Sequence, residues 1–291
     1  MFHLKGSQSS FYAVYNDEKP GVLTAVEKTL VGHLKGAVAF DNSSGLWIIH
    51  SIPKLSESPD QYQYPDTGRI YGQHMLCVTL SSAYMLPLIE QLVLSKPQFL
   101  ATYVSEDWTE KYPEIEALFN DRPKTNETSK IAPFETVDGN LKMRHFSKSA
   151  KFGKDLYKDL VLPNLGYALH VETWRHGDSE PSVCENGKPL VVNVQFIHFK
   201  ELAVTFSSFQ DHSKWASTIP KESANEEGKM WICLGDINRM YSQFHRGGGT
   251  MCIQNNIIWK AFSNLITQVE KCGADVDDDV HVESAQIHSE L

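Results

Sequence analysis

The chain has 291 residues, of which 41% are hydrophobic and 22% charged, so its composition is that of a globular protein and excludes a disordered one. The net charge of −9 argues against a nucleic-acid binder, since such proteins usually carry a basic surface. Six of the acids lie in 273–291, however, so residues 1–272 carry only −3. We expect 273–291 to be an acidic, disordered tail.

Strand-like and helix-like segments alternate along the chain. In chain order they are strands over 37–40, 46–49 and 75–80, a helix over 82–94, a strand over 98–104, a short helix over 112–119, mixed or strand segments over 161–174 and 189–199, a strand over 230–234 and an amphipathic helix over 254–269. Residues 121–140 are rich in turn-forming residues and predict a surface connection. The alternation favours α/β layers over an all-β sandwich.

The chain contains a weak internal repeat. Residues 32–50 carry a His-x-Lys motif, an apolar strand and a return strand with a tryptophan, and residues 211–235 repeat that order. The repeat predicts a pseudo-duplicated protein, with an N-terminal half over 1–135 and a C-terminal half over 136–272.

His-x-Lys occurs four times, at His3, His33, His198 and His212, whereas chance predicts about one occurrence. No strand follows His3, so we expect it in a disordered terminus. His198 lies in an alternating run that is typical of a sheet surface. The copies at His33 and His212 are therefore the candidates for catalysis.

Two residues apart on a strand, a histidine and a lysine point to the same face. If His33 with Lys35 and His212 with Lys214 meet across a pseudo-twofold axis, two imidazoles and two ammonium groups surround one phosphodiester. One histidine would attack phosphorus, the other would protonate the leaving oxygen, and the lysines would neutralise the phosphoryl oxygens. This chemistry needs neither a metal nor another cofactor.

Each of these histidines needs a group on its other ring nitrogen to fix its tautomer. Asp236 is the candidate for His212. For His33, Asp41 and His50 compete, and allowance for the longer second loop makes His50 the counterpart of Asp236.

Other signals are weaker. Three glycines follow Arg246 and form either a backbone anion nest or a flexible turn. The five cysteines fit either scattered buried thiols or a disulfide-bearing protein. Asn42 and Asn126 begin N-glycosylation sequons. The Cys, Asp and His residues do not have the spacing of metal ligands.

Long blocks of the sequence match those of a known family and occur along the chain in the same order. They are GHLKGAVAFDNSSGLWIIHSIPKL over 32–55, IYGQHMLCVTL over 70–80, FSKSAKFGKDLY over 146–157, DHSKWA over 211–216 and CLGDINRMYSQFHRGGGTMC over 233–252. In these blocks the chain resembles the deoxyribonuclease II family, acid endonucleases of the phospholipase D type. The resemblance implies an α/β (α+β) fold, a phospholipase D-like pseudo-dimer of two sheet-and-helix halves with the active site between them.

The resemblance also implies an activity. It is cleavage of DNA at acidic pH, independent of metal, through a phosphohistidine and with 3'-phosphate and 5'-hydroxyl ends, by a lysosomal or secreted protein. The catalytic and supporting positions that it implies are His33, Lys35, His212, Lys214, His50 and Asp236. His212 is the preferred nucleophile, although the residues alone leave His33 open.

The same resemblance implies disulfide partners for the cysteines. It pairs Cys233 with Cys252 and Cys184 with Cys272, and it matches Cys77 to a cysteine whose partner lies near the family's mature N-terminus. We therefore expect the chain to lack the family's signal peptide and N-terminal segment, as an incomplete gene model or a shortened paralogue would.

Two alternatives compete with an endonuclease. One is a catalytically inactive, secreted protein of the same type that binds DNA or a host factor, and the intact His and Lys pairs speak against it. The other is a phospholipase D-type lipid hydrolase, disfavoured because no apolar run approaches a membrane-facing segment. The expected partner is a DNA substrate, with no membrane and no metal, and a monomeric pseudo-dimer is the favoured state.

Acid changes the charge of the chain. Ten histidines lie in 1–272, and protonation of all ten would raise the charge of that region from −3 to about +7, which is an upper limit. Attraction for DNA is then expected to increase as the pH falls.

Overall fold

The computed structural model describes residues 10–17, 31–54, 64–119, 126–220 and 229–272. Within these ranges the chain folds into two sheets with short helices packed beside them, which confirms the predicted mixed α/β architecture. The predictions of a disordered start and of a disordered acidic tail fall outside these ranges.

The first sheet contains the strands of the N-terminal half. Within the described residues they are β1 (Ser10–Tyr15), β2 (Gly36–Asp41), β3 (Ser44–His50), β4 (Met75–Ser81) and β5 (Phe99–Val104). Their order across the sheet is β4-β3-β2-β1-β5, and each neighbouring pair is antiparallel. The apolar sequence of β2 suits its central place, since this strand is buried along nearly its whole length.

The second sheet is larger. In the part of the chain that the structure describes, its strands are β6 (Ser129–Glu135), β7 (Lys142–Lys148), β8 (Leu169–Glu172), β9 (Val183–Glu185), β10 (Lys188–Phe199), β11 (Val204–Ser207), β12 (Trp215–Thr218), β13 (Trp231–Gly235), β14 (Gly248–Gln254) and β15 (Ile266–Val269). The order is β11-β10-β8-β12-β13-β14-β7-β6, and β9 and β15 also pair with β10. The predicted surface connection over 121–140 is wrong at β6, whose alternating residues pair with β7.

The helices are short. Those described are α1 (Asp66–Ile70), α2 (Met85–Ser95), α3 (Glu106–Lys111), α4 (Pro113–Phe119), α5 (Leu162–Leu165), α6 (Tyr241–Phe244) and α7 (Asn256–Ser263). Asn255 caps α7 by accepting hydrogen bonds from the N–H groups of Ile257 and Ile258. The predicted helix over 254–269 is too long, because the chain after Ser263 pairs with β10 as β15.

The two sheets share a four-strand antiparallel arrangement, which confirms the predicted duplication. The order β4-β3-β2-β1 corresponds to β14-β13-β12-β8, with a His-x-Lys motif before the third strand of each set, whereas the next strand is antiparallel in the first sheet (β5) and parallel in the second (β10). The predicted boundary between the halves falls after Glu135, between β6 and β7, although these two strands pair with each other. That boundary stays a prediction.

One hydrophobic core joins the sheets and fixes their relative position. Trp47 of β3 is 1% exposed, and its ring meets that of Phe134, on β6, at 5.6 Å. Helix α2 packs against β6 and β7. Because these contacts cross from one sheet to the other, the loops at the sheet ends are held in a defined arrangement.

Two disulfides confirm the pairings that the family resemblance implied. Cys233 and Cys252 join the neighbouring strands β13 and β14, and Cys184 of β9 joins Cys272 beyond β15. Cys77 lies on the edge strand β4 with an exposed free thiol. Among the described helices, none has the length and apolar character needed to cross a membrane.

Candidate active site

The two His-x-Lys motifs at His33 and His212 precede equivalent strands. Lys35 directly precedes β2, and Lys214 directly precedes β12. The prediction that each His-x-Lys pair lies within a strand is therefore wrong by a few residues. All four motif side chains nevertheless lie at the ends of central strands, where the two sheets meet.

Each motif is bound by a loop of the opposite half. The backbone N–H of His33 donates to the carbonyl oxygen of Gly247 at 2.7 Å, and that of His212 donates to the carbonyl oxygen of Gly72 at 2.9 Å. Gly72 precedes β4 and Gly247 precedes β14, which are equivalent strands. The halves thus exchange equivalent contacts, and the exchange brings the two motifs together.

The glycines after Arg246 allow this close approach. A Cβ atom at Gly247 would lie 2.1 Å from the carbonyl oxygen of Ser95, and one at Gly249 would lie 2.5 Å from that of Phe146. These glycines have extended backbone and lead into β14, without the positive φ of an anion nest. The nest interpretation is wrong: the glycines serve close packing.

A side chain from the other half also holds each motif lysine. The backbone N–H of Lys35 donates to Asp236 Oδ1 at 3.3 Å, and that of Lys214 donates to His74 Nδ1 at 3.2 Å. Sequence reasoning named Asp236 but missed His74. The only sequence signal for His74 was its place in the block over 70–80, just before β4.

The backbone pairing corrects the predicted match between the halves. The carbonyl oxygen of Lys35 accepts from the N–H of His50 at 3.1 Å, and that of Lys214 accepts from the N–H of Gly235 at 2.9 Å. His50 therefore corresponds to Gly235 rather than to Asp236. His74 is the counterpart of Asp236, because the side chain of each accepts a hydrogen bond from the backbone N–H of a motif lysine.

His33 lies in a charged environment. Its Nδ1–H donates to the backbone carbonyl oxygen of Asp236 at 2.5 Å. Its Nε2 lies 3.4 Å from Asp17 Oδ2 and 3.5 Å from Lys35 Nζ. Sequence reasoning missed Asp17, which follows β1 by two residues and is 5% exposed. The carbonyl bond leaves Nε2 as the nitrogen that gains and loses a proton.

Asp17 remains ionised because two cations, Lys35 and Arg246, and the imidazole of His33 surround it. Lys35 Nζ lies 2.7 Å from Oδ1, and Arg246 Nη1 lies 3.8 Å from Oδ2. Burial alone would raise the pKa of Asp17, but Lys35, His33 and Arg246 outweigh burial and hold that pKa well below its ordinary value.

The side chains of the two residues predicted as partners of His33 bond to other groups. Asp41 Oδ1 accepts a hydrogen bond from the backbone N–H of Ser43 at 2.8 Å, in the turn between β2 and β3. His50 is 3% exposed, and its Nδ1 accepts from the backbone N–H of Ile52 at 3.1 Å. Burial, and then Lys35, lower the pKa of His50 to about 3, so its ring is neutral with the proton on Nε2.

His212 lies among aromatic rings. Its ring stacks on Tyr71 at 4.2 Å with an interplanar angle of 9°, and contacts Trp174 at 4.4 Å. Nε2 of His212 is buried, and no hydrogen bond within the described part of the chain reaches it. Burial, and then Lys214 and Lys35, lower the pKa of His212 to about 3, so the ring stays neutral in moderate acid.

Two buried groups change charge near neutral pH. Lys214 donates from Nζ to the backbone carbonyl of His212, and burial followed by Lys35 lowers its pKa to about 7. Burial raises the pKa of Asp236 to about 7, against the effect of Lys35. In acid, Lys214 is therefore an ammonium and Asp236 a neutral carboxylic acid.

Two further buried cations hold the loops that carry Asp236 and Arg246. Arg239 binds Asp155 through Nε at 2.8 Å and Asn193 through Nη1 at 2.6 Å. Lys148 donates to three backbone carbonyls near the end of α6, that of Arg246 among them. No group of three or more His, Cys, Asp or Glu in the described ranges is placed to hold a metal ion.

Known proteins match the chain over most of its length. The sequence model of the family described as Deoxyribonuclease II matches residues 2–272. Cell death-related nuclease 6 of Caenorhabditis elegans is 32% identical over 93% of this chain and 72% of its own length. Deoxyribonuclease-2 of Caenorhabditis elegans is 36% identical over 88% and 65%, and Deoxyribonuclease-2-alpha of Mus musculus is 31% identical over 92% and 74%.

A comparison of folds gives a more distant match. The crystal structure of the yeast tyrosyl-DNA phosphodiesterase has a TM-score of 0.35 and 11% identity, and the match covers 76% of this chain and 67% of that one. The family match over nearly the whole chain and the relatives above 30% identity are the decisive findings. The chain belongs to the deoxyribonuclease II family of nucleases.

Proposed function

We propose that the protein is an endodeoxyribonuclease that hydrolyses DNA in acid through a phosphohistidine, without a bound metal, and leaves 3'-phosphate and 5'-hydroxyl ends. The observation that carries this proposal is the exchange of contacts between the halves, in which Asp236 holds Lys35 and His74 holds Lys214. This exchange supports a site in which two imidazole–ammonium pairs act on one phosphodiester. Membership in the family supports phosphodiester hydrolysis as the reaction class.

His212 is the proposed nucleophile. An attacking imidazole must be neutral, and the low pKa of His212, about 3, keeps it neutral in moderate acid. Its Nε2 has no partner among the described residues and is therefore not engaged by another group. In the first step Nε2 forms a bond to phosphorus while the bond from phosphorus to the 5'-oxygen breaks.

His33 is the proposed proton donor. Its Nδ1 is occupied by the Asp236 carbonyl, and Nε2 faces the carboxylate of Asp17. In the first step protonated His33 gives its Nε2 proton to the departing 5'-oxygen. In the second step neutral His33 takes a proton from a water molecule, which attacks phosphorus and breaks the bond to His212.

The lysines supply the positive charge that the reaction needs. The transition state carries negative charge on the phosphoryl oxygens, and Lys35 and Lys214 are buried beside the two histidines, at 4% and 3% exposure. A buried ammonium stabilises such charge more strongly than an exposed one, because the surrounding protein screens it less. This supports a mechanism in which the chain itself provides the cations.

The pKa shifts favour acidic conditions. Burial, and then Lys35, hold the pKa of His33 well below its ordinary value, so the imidazolium form accumulates only as the pH falls. Below pH 7 Lys214 also becomes fully protonated, since its pKa is about 7. His212 stays neutral down to about pH 3. Acid therefore protonates Lys214 fully and favours the imidazolium form of His33, whereas the proposed nucleophile stays neutral down to about pH 3.

Cleavage of supercoiled plasmid in EDTA at about pH 5 tests this function. The wild-type protein should cut the plasmid, and His212→Ala should not. His198→Ala is the matched control, because His198 also belongs to a His-x-Lys sequence but lies on β10, hydrogen-bonded to Thr205. The products should have 5' ends that a kinase labels directly and 3' ends that a polymerase extends only after phosphatase treatment.

Three outcomes of this assay would contradict the proposal: an intact plasmid with the wild-type protein, equal cleavage by His212→Ala, or cleavage only after addition of a divalent cation. Binding of DNA in a gel shift without any cleavage would select the inactive binding protein instead.

We also propose that the protein acts as a monomeric pseudo-dimer in a lysosome or outside the cell. Two disulfides support an oxidising compartment. Asn42 and Asn126 are both exposed in their sequons. Removal of N-glycans should therefore lower the mass of the secreted wild-type protein but not that of the double variant Asn42→Gln with Asn126→Gln. Light scattering at the monomer mass checks the oligomeric state.

A further inference from the structure

Lys148 lies in a cage of backbone carbonyl groups. It is the last residue of β7 and is 0% exposed. Its Nζ donates to the carbonyl oxygens of Gln243 and Phe244, each at 2.9 Å, and to that of Arg246 at 2.5 Å. An ammonium group has three N–H donors, whereas a neutral amine has two and a lone pair. The cage therefore fits the charged form, because the three acceptors use all three protons.

The three carbonyl groups belong to one turn. Helix α6 ends at Phe244, and the backbone N–H of Arg246 donates to the carbonyl oxygen of Gln243 at 3.2 Å. The last carbonyl groups of a helix lack the donors that a continuing helix would supply. Here a side chain from β7 supplies them, so Lys148 fixes the turn against the second sheet.

The same turn reaches His33 in the other half. The carbonyl oxygen of Gly247 accepts from the backbone N–H of His33 at 2.7 Å. The guanidinium of Arg246 donates from Nη2 to the carbonyl oxygen of Gly32 at 3.0 Å, and its Nη1 lies 3.8 Å from Asp17 Oδ2. A displacement of the turn would therefore move the backbone of His33 and the cation beside Asp17 together.

We propose that Lys148 is a positioning residue for the proton transfers of His33: its ammonium fixes the turn over 243–247, and the turn fixes the His33 imidazole. This inference rests on the proposed function. Lys148 does not touch the substrate, because it is fully buried and its three protons are used. The backbone of His212 is bound by Gly72 instead, so Lys148 should act on one histidine and not on the other.

The charges around Lys148 leave it an ammonium in acid. Burial lowers its pKa to about 7, while Asp155, from the segment after β7, raises the pKa and Arg246 lowers it. The residues paired with Lys148 on the neighbouring strands, Ser129 on β6 and Gly248 on β14, carry no charge. The cage is therefore fully bonded in the acidic range in which the reaction is proposed to run.

Lys148→Met removes the three donors and keeps the apolar stem. Two substrates separate an effect on His33 from a general loss of structure: DNA, whose 5'-oxygen needs a proton as it leaves, and a p-nitrophenyl ester of a nucleoside 3'-phosphate, whose leaving group needs none. At about pH 5, kcat for DNA should fall about tenfold with KM nearly unchanged. The rate of the first, rapid release of nitrophenol should fall by no more than about twofold.

Lys130→Met is the matched control, because Lys130 lies on the neighbouring strand β6, where it forms an ion pair with Glu90. It should leave both rates unchanged. Lys148→Gln is a milder variant, since its amide keeps two N–H donors for the three carbonyl groups. Its kcat for DNA should fall about threefold, again with little change in the rapid release. It decides by the same criteria if Lys148→Met does not fold.

Hydrogen exchange measures the fixed turn directly and needs no activity. In Lys148→Met the backbone N–H of His33, which bonds to Gly247, should exchange about tenfold faster than in the wild type. The backbone N–H of His212, which bonds to Gly72, should keep its rate. General unfolding would accelerate both groups equally.

The proposal is overturned if Lys148→Met slows both substrates by the same factor, leaves kcat for DNA unchanged, or leaves the exchange of His33 unchanged. Failure of the proposed function looks different, because the wild-type protein then acts on neither substrate. In that case hydrogen exchange still decides: selective acceleration at His33 supports the positioning role of Lys148, and equal rates at His33 and His212 relative to the wild type overturn it.

Discussion

Asp17 and Trp174 occupy equivalent positions in the two halves, although one is a carboxylate and the other an indole. Each lies two residues beyond the strand that pairs with the motif strand, β1 in the first sheet and β8 in the second. Asp17 contacts the ring of His33, and Trp174 contacts the ring of His212. Each half thus contributes one imidazole, and the difference at this one position gives His33 a charged environment and His212 an aromatic one.

Asp17→Asn should move the pH dependence of cleavage toward lower pH. The carboxylate of Asp17 raises the pKa of His33, against burial and Lys35, which lower it. Without this negative charge the imidazolium of His33 forms only at lower pH, so kcat/KM at a fixed pH falls. The midpoint of the profile should shift by about one pH unit, as measured by initial rates across the acidic range.

Asp41→Asn is the matched control for Asp17→Asn. The side chain of Asp41 accepts hydrogen bonds from Ser43 in the turn after β2. Only its spacing from His33 in the sequence suggests Asp41 as a partner of that histidine. Its replacement should leave the profile in place. A shift with Asp41→Asn, and none with Asp17→Asn, would reverse the assignment that the geometry supports.

His33→Ala and His212→Ala should differ in a burst experiment. A p-nitrophenyl ester of a nucleoside 3'-phosphate has a leaving group that departs without a proton, so loss of the proposed proton donor matters less in the first step. His33→Ala should release up to one equivalent of nitrophenol per enzyme rapidly, as the phosphohistidine forms, and then stall. His212→Ala should show no burst. A burst from His212→Ala would make His33 the nucleophile.

The sequence predicted the residues that lie in recognisable local patterns. His33, Lys35, His212 and Lys214 repeat a motif before similar strands, and the structure places all four where the sheets meet. The duplication was visible because each copy keeps its motif, its strand and its tryptophan in the same order. These features depend on residues close in the chain.

The missed residues reach the site from distant segments. Asp17 comes from the end of β1 and His74 from the start of β4, so only the pairing of strands reveals what they contact. The incorrect match of His50 with Asp236 also arises because sequence spacing does not show which strand residues pair. The length of the turn is unknown from the sequence, so a shift of one residue in the strand register goes unnoticed. The predicted helix over 254–269 failed because tertiary pairing of β15 with β10 overrides a helical pattern.

His74→Ala should lower kcat more than it raises KM. The change leaves the backbone N–H of Lys214 without its acceptor, and an unsatisfied buried donor costs about 1–3 kcal/mol. The lysine segment then loses its fixed position beside His212, and we expect kcat to fall about tenfold. Rates at saturating and limiting DNA concentrations separate the two parameters.

His74→Asn separates positioning from a general loss of packing, because the asparagine oxygen can accept the bond that Nδ1 accepts. It should recover most of the activity that His74→Ala loses. His198→Ala serves as the neutral comparison. Equal loss in His74→Ala and His74→Asn, together with equal loss of thermal stability, would mean that His74 acts only by filling space.

The structure also shows that the protein gains less positive charge in acid than its histidine count suggests. Protonation of all ten histidines in 1–272 would bring the charge to about +7, but burial lowers the pKa of six of them. They are His33, His50, His74, His145, His170 and His212. Attraction for DNA in acid therefore increases less than the composition suggests, and the buried histidines have a different consequence, which is a cost in stability.

His145→Asn should make the protein less sensitive to acid. His145 lies on β7, is 2% exposed, and its Nδ1 is 3.0 Å from Gln91 Oε1, a contact that an asparagine amide can also make. Burial lowers the pKa of His145 to about 3, whereas in the unfolded chain it has its ordinary value of about 6.5. As the pH falls between these values, only the unfolded state takes up the proton, so the free energy of unfolding decreases by about 1.4 kcal/mol per pH unit.

Urea unfolding with the disulfides intact, at about pH 7 and about pH 4.5, should show a smaller loss of stability for His145→Asn than for the wild type. An equal loss in both proteins would show that His145 already carries its proton in the folded state.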